Sequence, residues 1–356
     1  MSSEDLEAIR RQVDTLDEDI LDRINRRLKL MGAIAEIKND ADIPVHDPGR
    51  EKEIIVRLSR LNKGPLPEDV LKLIFGEIIS AARALQKRLR VTYLGPQMTF
   101  THMAAMSHFG SSVDMEPLSS LDDIFREVER GTYDQGVVPV ENTTEGIVSH
   151  TLDLFLDTPL VIRAEILMDI TFDLLSRSGR REDIRKIISH PQALAQCRGF
   201  LNRSFAGTPR SEAPSTAAAA QAAADDPSIA AIASRAAGIH YGLMVVEEHI
   251  QDNRINMTRF FVLGRKETAR VDHAKTSLIF SVRHAPGTLY NALKSFADRG
   301  VNLTKIESRP IRGQPWEYFF FLDLEGHRED DPVARAIEDL RPHCSFVKIL
   351  GSFPRG

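Results

Sequence analysis

Apolar residues recur at intervals of three and four over residues 4–39, which is the period of one face of an α-helix. The pattern predicts a single long amphipathic helix. A break with two prolines follows at residues 40–48, and the same period resumes over residues 51–61 and 67–89. We therefore expect an all-helical domain over residues 1–90.

Past residue 90, short apolar runs alternate with helical segments, which is typical of an α/β domain with a largely parallel sheet. This region, residues 91–268, is long enough for two lobes, as in a periplasmic binding protein. Seven runs are expected to be strands: residues 91–95, 136–141, 171–176, 186–190, 229–234, 243–250 and 258–264.

Residues 265–275 are charged and aperiodic, so we expect a linker there. The patterns beyond it follow the order βαββαβ, which is typical of a small ferredoxin-like α+β module, here at residues 276–353. The expected elements are strand 277–282, helix 287–299, strands 301–308 and 317–324, helix 332–341 and strand 345–350.

Composition narrows the class of protein. The chain has 356 residues, more than one ordinary core holds, so two or three domains are expected. A formal charge of −5 argues against a nucleic-acid partner. The sequence shows neither an apolar leader nor a run of membrane-spanning length, which favours a cytoplasmic protein without a membrane partner. Cys197 and Cys344 lack CxxC spacing and are expected to be free, buried thiols.

Four cations in the helical region, Arg10, Arg27, Lys38 and Arg50, lie among apolar residues, with the amide Gln86 further along. The set suits a small dianionic ligand. Because the region offers no obvious nucleophile or general base, it suits a reaction that needs only a fitted substrate shape and electrostatic stabilisation. The alternative is an ordinary solvated helix face. Gln86 favours a site, because a polar side chain beside an apolar stripe costs free energy unless it is hydrogen-bonded.

The spacing of these cations predicts a dimer. Arg27 and Lys38 lie on nearly one helix face, with Cα atoms roughly 16 Å apart. Arg10 lies roughly 25 Å along the same helix from Arg27 and cannot reach a ligand held there. If Arg10 serves that ligand, it must come from a second, antiparallel chain.

Several motifs extend over residues 5–89: Ile9-Arg10, Leu16-Asp17, Arg26-Arg27, Lys38, residues 44–47 and Arg50-Glu51. This set resembles the all-helical chorismate mutase family. Ala82 stands at a position where relatives often carry Ser, so one substrate contact is expected to be missing. The contacts that the resemblance implies are Arg10 (from the partner), Arg27, Lys38 and Arg50 to the carboxylates and ether oxygen, Asp47 and Glu51 to the hydroxyl, and Gln86 to the ether oxygen.

In the α/β region, small polar residues follow predicted strands and open predicted helices. Helix N-termini bind carboxylates, so several such ends at one cleft would hold an anion without many cations. Each alone is also an ordinary helix cap, and His190 alone is more often structural. Arg259, inside an apolar run, is expected to pair with an internal acid or a ligand. The helix-opening segments are residues 95–102, 138–146, 189–192 and 215–216.

Three segments, Thr258-Arg259-Phe260, Glu141-Asn142-Thr143 and 189–192, resemble as a set the prephenate dehydratase family, over residues 91–264. The resemblance implies that prephenate loses carbon dioxide and water to give phenylpyruvate, without a metal or cofactor, and that Thr258 and Arg259 are catalytic. A Thr hydroxyl is a poor acid, so Thr258 is expected to relay or orient a proton, and the donor stays open. The implied substrate-binding residues are Thr99, Asn142, Thr143, Ser189, Gln192, Gln196, Ser215 and Thr216.

The C-terminal module carries Gly287-Thr288-Leu289 before a predicted helix, and Asn302 and residues 307–310 after it. These motifs resemble an ACT regulatory domain of the kind attached to prephenate dehydratases. The resemblance implies that L-phenylalanine binds between two paired modules. The implied effector-binding residues are Gly287, Thr288, Leu289, Asn302, Glu307, Ser308, Arg309 and Pro310.

Together the three resemblances imply a multidomain, bifunctional enzyme of phenylalanine biosynthesis. It would act on chorismate and prephenate, be inhibited by L-phenylalanine, and form a homodimer or a larger homo-oligomer. Two alternatives stay open. One is a dehydratase that prefers arogenate, in which an amine replaces the keto group of the side chain. The other is a non-catalytic, amino-acid-sensing protein, since a two-lobed α/β body suits solute binding.

Overall fold

The computed structural model describes residues 3–40, 48–86, 88–310 and 318–356. The chain divides into two compact units, Met1–Leu89 with Phe109–Asp114, and Arg90–His108 with Met115–Gly356. Within the described ranges, no helix combines the length and apolar character that crossing a membrane requires.

The first unit is helical, as predicted, with α1 Ser3–Asp40, α2 Pro48–Leu61 and α3 Glu68–Gln86. Helix α3 packs against both others and buries Leu71, Ile79 and Ala82, whereas Ile74 and Leu85 stay exposed. Helix α1 also leaves apolar side chains exposed, and these are spread along its length. They are Leu6, Ile9, Val13, Leu16, Ile20, Leu21, Leu30, Ile34 and Ile37.

The α/β part and the C-terminal module contain the strands of the described chain. In chain order these are β1 Arg90–Leu94, β2 Asp114–Leu118, β3 Gln135–Asn142, β4 Gly146–Ile147, β5 Val161–Asp169, β6 Asp173–Ser176, β7 Lys186–Ser189, β8 Arg210–Glu212, β9 Ile229–Ala233, β10 Met244–Glu247, β11 Met257–Gly264, β12 Ala274–Ser281, β13 Leu303–Pro310, β14 Tyr318–Glu325 and β15 Phe346–Pro354.

Helices lie between many of these strands, as the alternating pattern predicted. They are α4 Phe100–Phe109, α5 Leu121–Arg130, α6 Ser149–Leu154, α7 Pro191–Gln196, α8 Arg198–Ser204, α9 Thr216–Asp225, α10 Arg235–His240, α11 Thr288–Ala297 and α12 Asp331–Leu340.

Two sheets divide the α/β part into two lobes. The first sheet has the order β2-β1-β3-β11-β5, with β4 on β3, and the second has the order β10-β6-β9-β7-β8. Strand β11 runs antiparallel to both neighbours, and β6 runs antiparallel to β9 and β10, whereas β7 is parallel to β8 and β9. The prediction of a largely parallel sheet is therefore wrong, since an apolar run marks a strand but not its direction.

The C-terminal module has the predicted βαββαβ order, in an antiparallel sheet ordered β13-β14-β12-β15. One face of this sheet packs on α11 and α12, with Phe280 and Phe296 in the core. The other face places Phe321 and Phe353 in the same apolar cluster as Phe261 of the first lobe. The module is therefore packed directly on the lobe that carries β11.

Candidate functional site: a cleft between two lobes

A cavity of ≈ 430 Å³ lies between the two lobes of the α/β part. This volume is within the usual range for small-molecule sites. Seven of the predicted substrate or catalytic residues line it. From the first lobe come Thr99, Asn142 and Thr258, and from the second come Gln192, Gln196, Ser215 and Thr216.

Thr258 and Asn142 meet because β11 pairs with β3 in a register that sets them opposite each other. The Asn142 amide nitrogen Nδ2 donates to Thr258 Oγ1 (2.8 Å) and to Asn256 Oδ1 (2.7 Å). The Thr258 hydroxyl accepts in this pair, so its own hydrogen is left for another acceptor. Asn256 was not predicted, although its place two residues before Thr258 is the same-face spacing of a strand.

Two ten-residue helices begin at the cavity. Thr99, Phe100 and Thr101 at the start of α4 line it, as do Ser215 and Thr216 at the start of α9. Ser215 caps α9 by accepting from Ala218 N (3.0 Å). Helix N-termini carry partial positive charge and free N–H groups, so this end of the cleft suits carboxylates.

The charged groups on the wall are few. Glu141, Glu145 and the titratable His190 line the cavity, and the described lining residues include neither Lys nor Arg. Glu141 is neutralised from outside the cavity, by Lys305 of β13 and by Arg259. His190 Nδ1 accepts from Gln192 N (3.4 Å) and so caps α7. Neither glutamate was among the predicted site residues.

Two predicted substrate-binding residues are not on the cavity wall. The hydroxyl of Thr143 accepts from Met257 N (3.0 Å), and the buried hydroxyl of Ser189 donates to Ile232 O (2.6 Å). Both side chains therefore hold backbone segments of the α/β part, and their contact with substrate stays a prediction.

Arg259, which was predicted to be catalytic, is not on the cavity wall either. Side chains alternate along a strand, so Thr258 and Phe260 face the cavity and Arg259 points the other way. Its guanidinium pairs with Asp323 of β14 (2.5 Å) and Glu165 of β5 (2.7 Å). Burial lowers the pKa of Arg259, but these carboxylates raise it by more. Of the two partners expected for Arg259, the structure contains the internal acid.

In the helical unit, Arg27 is the predicted cation best placed for a ligand. It is half-buried, and its Nη1 has no hydrogen-bond partner among the described residues. Burial lowers the pKa of Arg27, and the nearby Glu51 carboxylate partly opposes this. Glu51 pairs with Arg83 (3.2 Å), a buried cation of α3 that the sequence analysis missed. The sequence did contain a signal for Arg83, because a cation next to Ala82 on an apolar helix face is expected to be buried and to need an acidic partner.

Within the described part of the chain, the structure does not bring the other predicted mutase residues together at Arg27. Arg10 and Arg50 are exposed and pair with Glu7 (3.6 Å) and Glu53 (2.9 Å) of their own helices. Lys38 lies in α1 and Gln86 ends α3, but their side chains, like the whole of Asp47, lie outside the described part.

The predicted effector residues fall into two groups within one chain. Gly287, Thr288 and Leu289 line a cleft of ≈ 270 Å³ with Tyr318 and Phe320. The second group lies elsewhere, on or beside β13, which is one edge of its sheet. Asn302 donates to Glu325 (3.1 Å), Arg309 donates to Ser149 Oγ (2.6 Å), and Glu307, Ser308 and Pro310 lie on β13.

Comparison with known families follows the same three parts. Residues 9–87 match the chorismate mutase type II family, residues 91–268 the prephenate dehydratase family and residues 276–342 the ACT domain family. A bifunctional chorismate mutase/prephenate dehydratase of Aquifex aeolicus (strain VF5) is 45% identical over 99% of this chain and 98% of its own length. A protein of the same name from Escherichia coli (strain K12) is 34% identical over 99% and 97%.

A solved structure is also similar to this chain. The crystal structure of a prephenate dehydratase from Arthrobacter aurescens in complex with L-Phe is 36% identical, with a TM-score of 0.69 over 75% of this chain and 90% of that one. Fold and site thus define a multidomain protein with a helical domain, a two-lobed α/β domain that has an anion-suited cleft, and an ACT module. The chain belongs to the family of bifunctional chorismate mutase/prephenate dehydratases.

Proposed function

We propose that this protein rearranges chorismate to prephenate in its helical domain and converts prephenate to phenylpyruvate in the cleft. We assign the three parts to residues 1–90, 91–268 and 276–353. The observation that carries the proposal is the Asn142–Thr258 hydrogen bond, in a cleft where two helices begin. Prephenate is a dianion, and the α4 and α9 N-termini supply the positive ends that its carboxylates need.

The dehydration requires a hydroxyl to leave while a carboxylate is lost as carbon dioxide, and the ring becomes aromatic. Thr258 accepts from Asn142 and therefore directs its own O–H toward the substrate, where it orients the departing hydroxyl. Gln196 is fixed by Asn256 Nδ2, which donates to Gln196 Oε1 (2.7 Å), so the cleft presents polar groups of set direction. This arrangement uses positioning and hydrogen bonds from the protein's own side chains.

The mutase reaction needs a compact substrate conformer and stabilisation of charge on the ether oxygen. The half-buried Arg27, with an Nη1 that lacks a described partner, supports an anion contact there. We propose that Lys38, Arg50 and Gln86 complete the contacts to the carboxylates and ether oxygen. Asp47 and Glu51 take the substrate hydroxyl.

We also propose a homodimer or higher homo-oligomer in which Arg10 reaches the partner's mutase site. The apolar side chains that α1 leaves exposed support pairing along this helix, since a contiguous exposed apolar face marks an interaction site. The names of its relatives, which are biosynthetic enzymes, support a cytoplasmic location.

Feedback inhibition by L-phenylalanine is proposed for the C-terminal module. The relative from Arthrobacter aurescens was solved with L-Phe, and this chain has a small cleft at residues 287–289. Two modules from two chains, paired face to face, would bring that cleft to the β13 edge of the second chain. Lys305 and Arg309 of β13 contact Glu141 and Ser149 of the α/β part, so a shift of β13 would reach the wall of the cavity.

The direct test is to incubate the purified chain with chorismate, prephenate or arogenate and to measure the products by absorbance and chromatography. We expect prephenate from chorismate and phenylpyruvate from prephenate, with arogenate as the poorer substrate. Faster turnover of arogenate would reassign the substrate. Tight binding of prephenate without turnover would instead support a sensing protein and contradict the proposal.

A further inference from the structure

Glu145 closes a ring of hydrogen bonds around one side of the cleft. Gln196 Nε2 donates to Glu145 Oε1 (3.0 Å), and Asn256 Nδ2 donates to Gln196 Oε1 (2.7 Å). Asn142 Nδ2 donates to Asn256 Oδ1 (2.7 Å), and Asn142 Oδ1 accepts from the backbone N of Glu145 (3.1 Å). Asn142 also donates to Thr258. The carboxyl of Glu145 and the hydroxyl of Thr258 are therefore positioned by the same three amides, those of Asn142, Asn256 and Gln196.

This ring determines which oxygen of Glu145 is left for a ligand. The oxygen of Asn142 accepts from the backbone N–H groups of Thr144 and Glu145, which fixes the orientation of its amide and, in turn, those of Asn256 and Gln196. Gln196 Nε2 then donates to Oε1 of Glu145. A carboxyl group has two oxygens, so Oε2 stays available in the cavity, with a proton when the group is in its acid form.

The other titratable groups on the wall do not fit the role of proton donor. Both carboxylate oxygens of Glu141 are already engaged, Oε1 by Arg259 and Oε2 by Lys305. The Nδ1 atom of His190 accepts a backbone hydrogen bond, which requires a ring without a proton on that atom. A Thr hydroxyl is too weak an acid for the step. Among the described lining residues, Glu145 is the carboxyl without a cationic partner at ion-pair distance.

We propose that Glu145 is the general acid of the dehydratase, a role that rests on the proposed function of the cleft. The Oε2 proton passes to the departing hydroxyl, the C–O bond breaks, and water leaves. The electron pair of the breaking bond to the lost carboxylate moves into the ring, which becomes aromatic as carbon dioxide departs. Prephenate dianion and one proton thus give phenylpyruvate monoanion, carbon dioxide and water, and Glu145 is reprotonated from solvent.

The test separates acid chemistry from the bridge to Gln196. Glu145→Gln keeps the length and an acceptor oxygen for Gln196, so a purely structural role would survive it. If Glu145 donates the proton, kcat for phenylpyruvate formation falls about 10²–10⁴-fold, with KM changed little. The kcat of the unaltered chain should fall as the pH is raised, and Glu145→Gln should abolish this dependence. Glu182→Gln, an exposed change outside the cavity, is the matched control.

A second variant covers the case in which glutamine disturbs the loop. Glu145→Ala should lose similar activity, and added acetic acid should restore part of it in proportion to the protonated form. Activity of Glu145→Gln within about threefold of the unaltered chain would overturn the assignment. So would a loss that acetic acid does not rescue and that falls on KM instead of kcat. An unaltered chain that fails to convert prephenate would instead refute the proposed function itself.

Discussion

The guanidinium of Arg259 lies 2.5 Å from a carboxylate oxygen of Asp323, and both side chains are buried, at 5% and 0% exposure. Ser277 also donates to Asp323. The residue next to Thr258 is thus paired with the C-terminal module. A buried charge that loses its partner is strongly destabilising, so this pair joins the dehydratase strand β11 to the regulatory sheet.

Removing the charge of Asp323 should destabilise the protein. We expect Asp323→Asn to lower the free energy of unfolding by about 3 kcal/mol, because Arg259 keeps Glu165 but loses its nearest partner. Asp331→Asn is the matched control, since Asp331 is 71% exposed and its helix pair with Arg335 is worth about 0.5 kcal/mol or less. Denaturant unfolding of both variants checks this. Equal effects would contradict the account.

Glu165 should make stability depend on acid pH. Burial raises the pKa of Glu165, but Arg259, the Gly356 N–H and Lys275 lower it by more, so it lies below its ordinary value of 4.5. The unfolded chain then binds the proton more readily. The contribution of Glu165 is complete above pH 4.5 and is lost as the pH falls through the lower folded value.

Thermal unfolding midpoints across this range measure the effect. The Glu165→Gln variant should be less stable at neutral pH, because Arg259 and Lys275 lose a shared partner. Below pH 4.5 its midpoint should fall less steeply than that of the unaltered chain. Parallel curves for the two proteins would show that Glu165 does not contribute this dependence.

Lys305 should transmit feedback inhibition. It pairs with Glu141 of the cavity wall and lies on β13, near the predicted effector residues 307–310. We expect Lys305→Ala to raise the L-phenylalanine concentration for half-inhibition about fivefold, at the lower end of usual allosteric coupling. Lys294→Ala, which removes an exposed cation of α11, is the control. Inhibition curves of dehydratase activity against L-phenylalanine concentration measure this. An unchanged half-inhibition concentration in Lys305→Ala would mean that β13 does not couple the effector site to the cavity.

The proposed sharing of the mutase site predicts recovery in mixed dimers. Arg10→Ala or Arg27→Ala alone should nearly abolish prephenate formation, since removing a cation from a desolvated carboxylate costs several kcal/mol. Random exchange between the two variants makes half the dimers mixed, so roughly a quarter of all sites should be intact. Arg26→Ala, with an exposed side chain beside Arg27, should stay active. Exchange without recovery would mean that Arg10 does not act in the partner's site.

The sequence predicted the secondary-structure elements better than the contacts between them. The helices of the first unit and the βαββαβ module follow from periodicity alone. Strand β5 was missed because Arg163 and Glu165 interrupt its apolar run, and the partners that make those charges tolerable are far away in the chain. The period of two in β11 did contain the information that Arg259 and Thr258 face opposite ways. The Asn142–Thr258 contact could not be placed, since it depends on strand register across 116 residues.

The central claim is that two separate sites in one chain carry out successive reactions. The most direct measurement compares Thr258→Ala and Arg27→Ala in both assays. We predict that Thr258→Ala loses about 10²-fold or more in phenylpyruvate formation and keeps chorismate consumption, because its hydroxyl serves only the cleft. Arg27→Ala should show the reverse. Loss of both activities in either folded variant would contradict the separation of the sites.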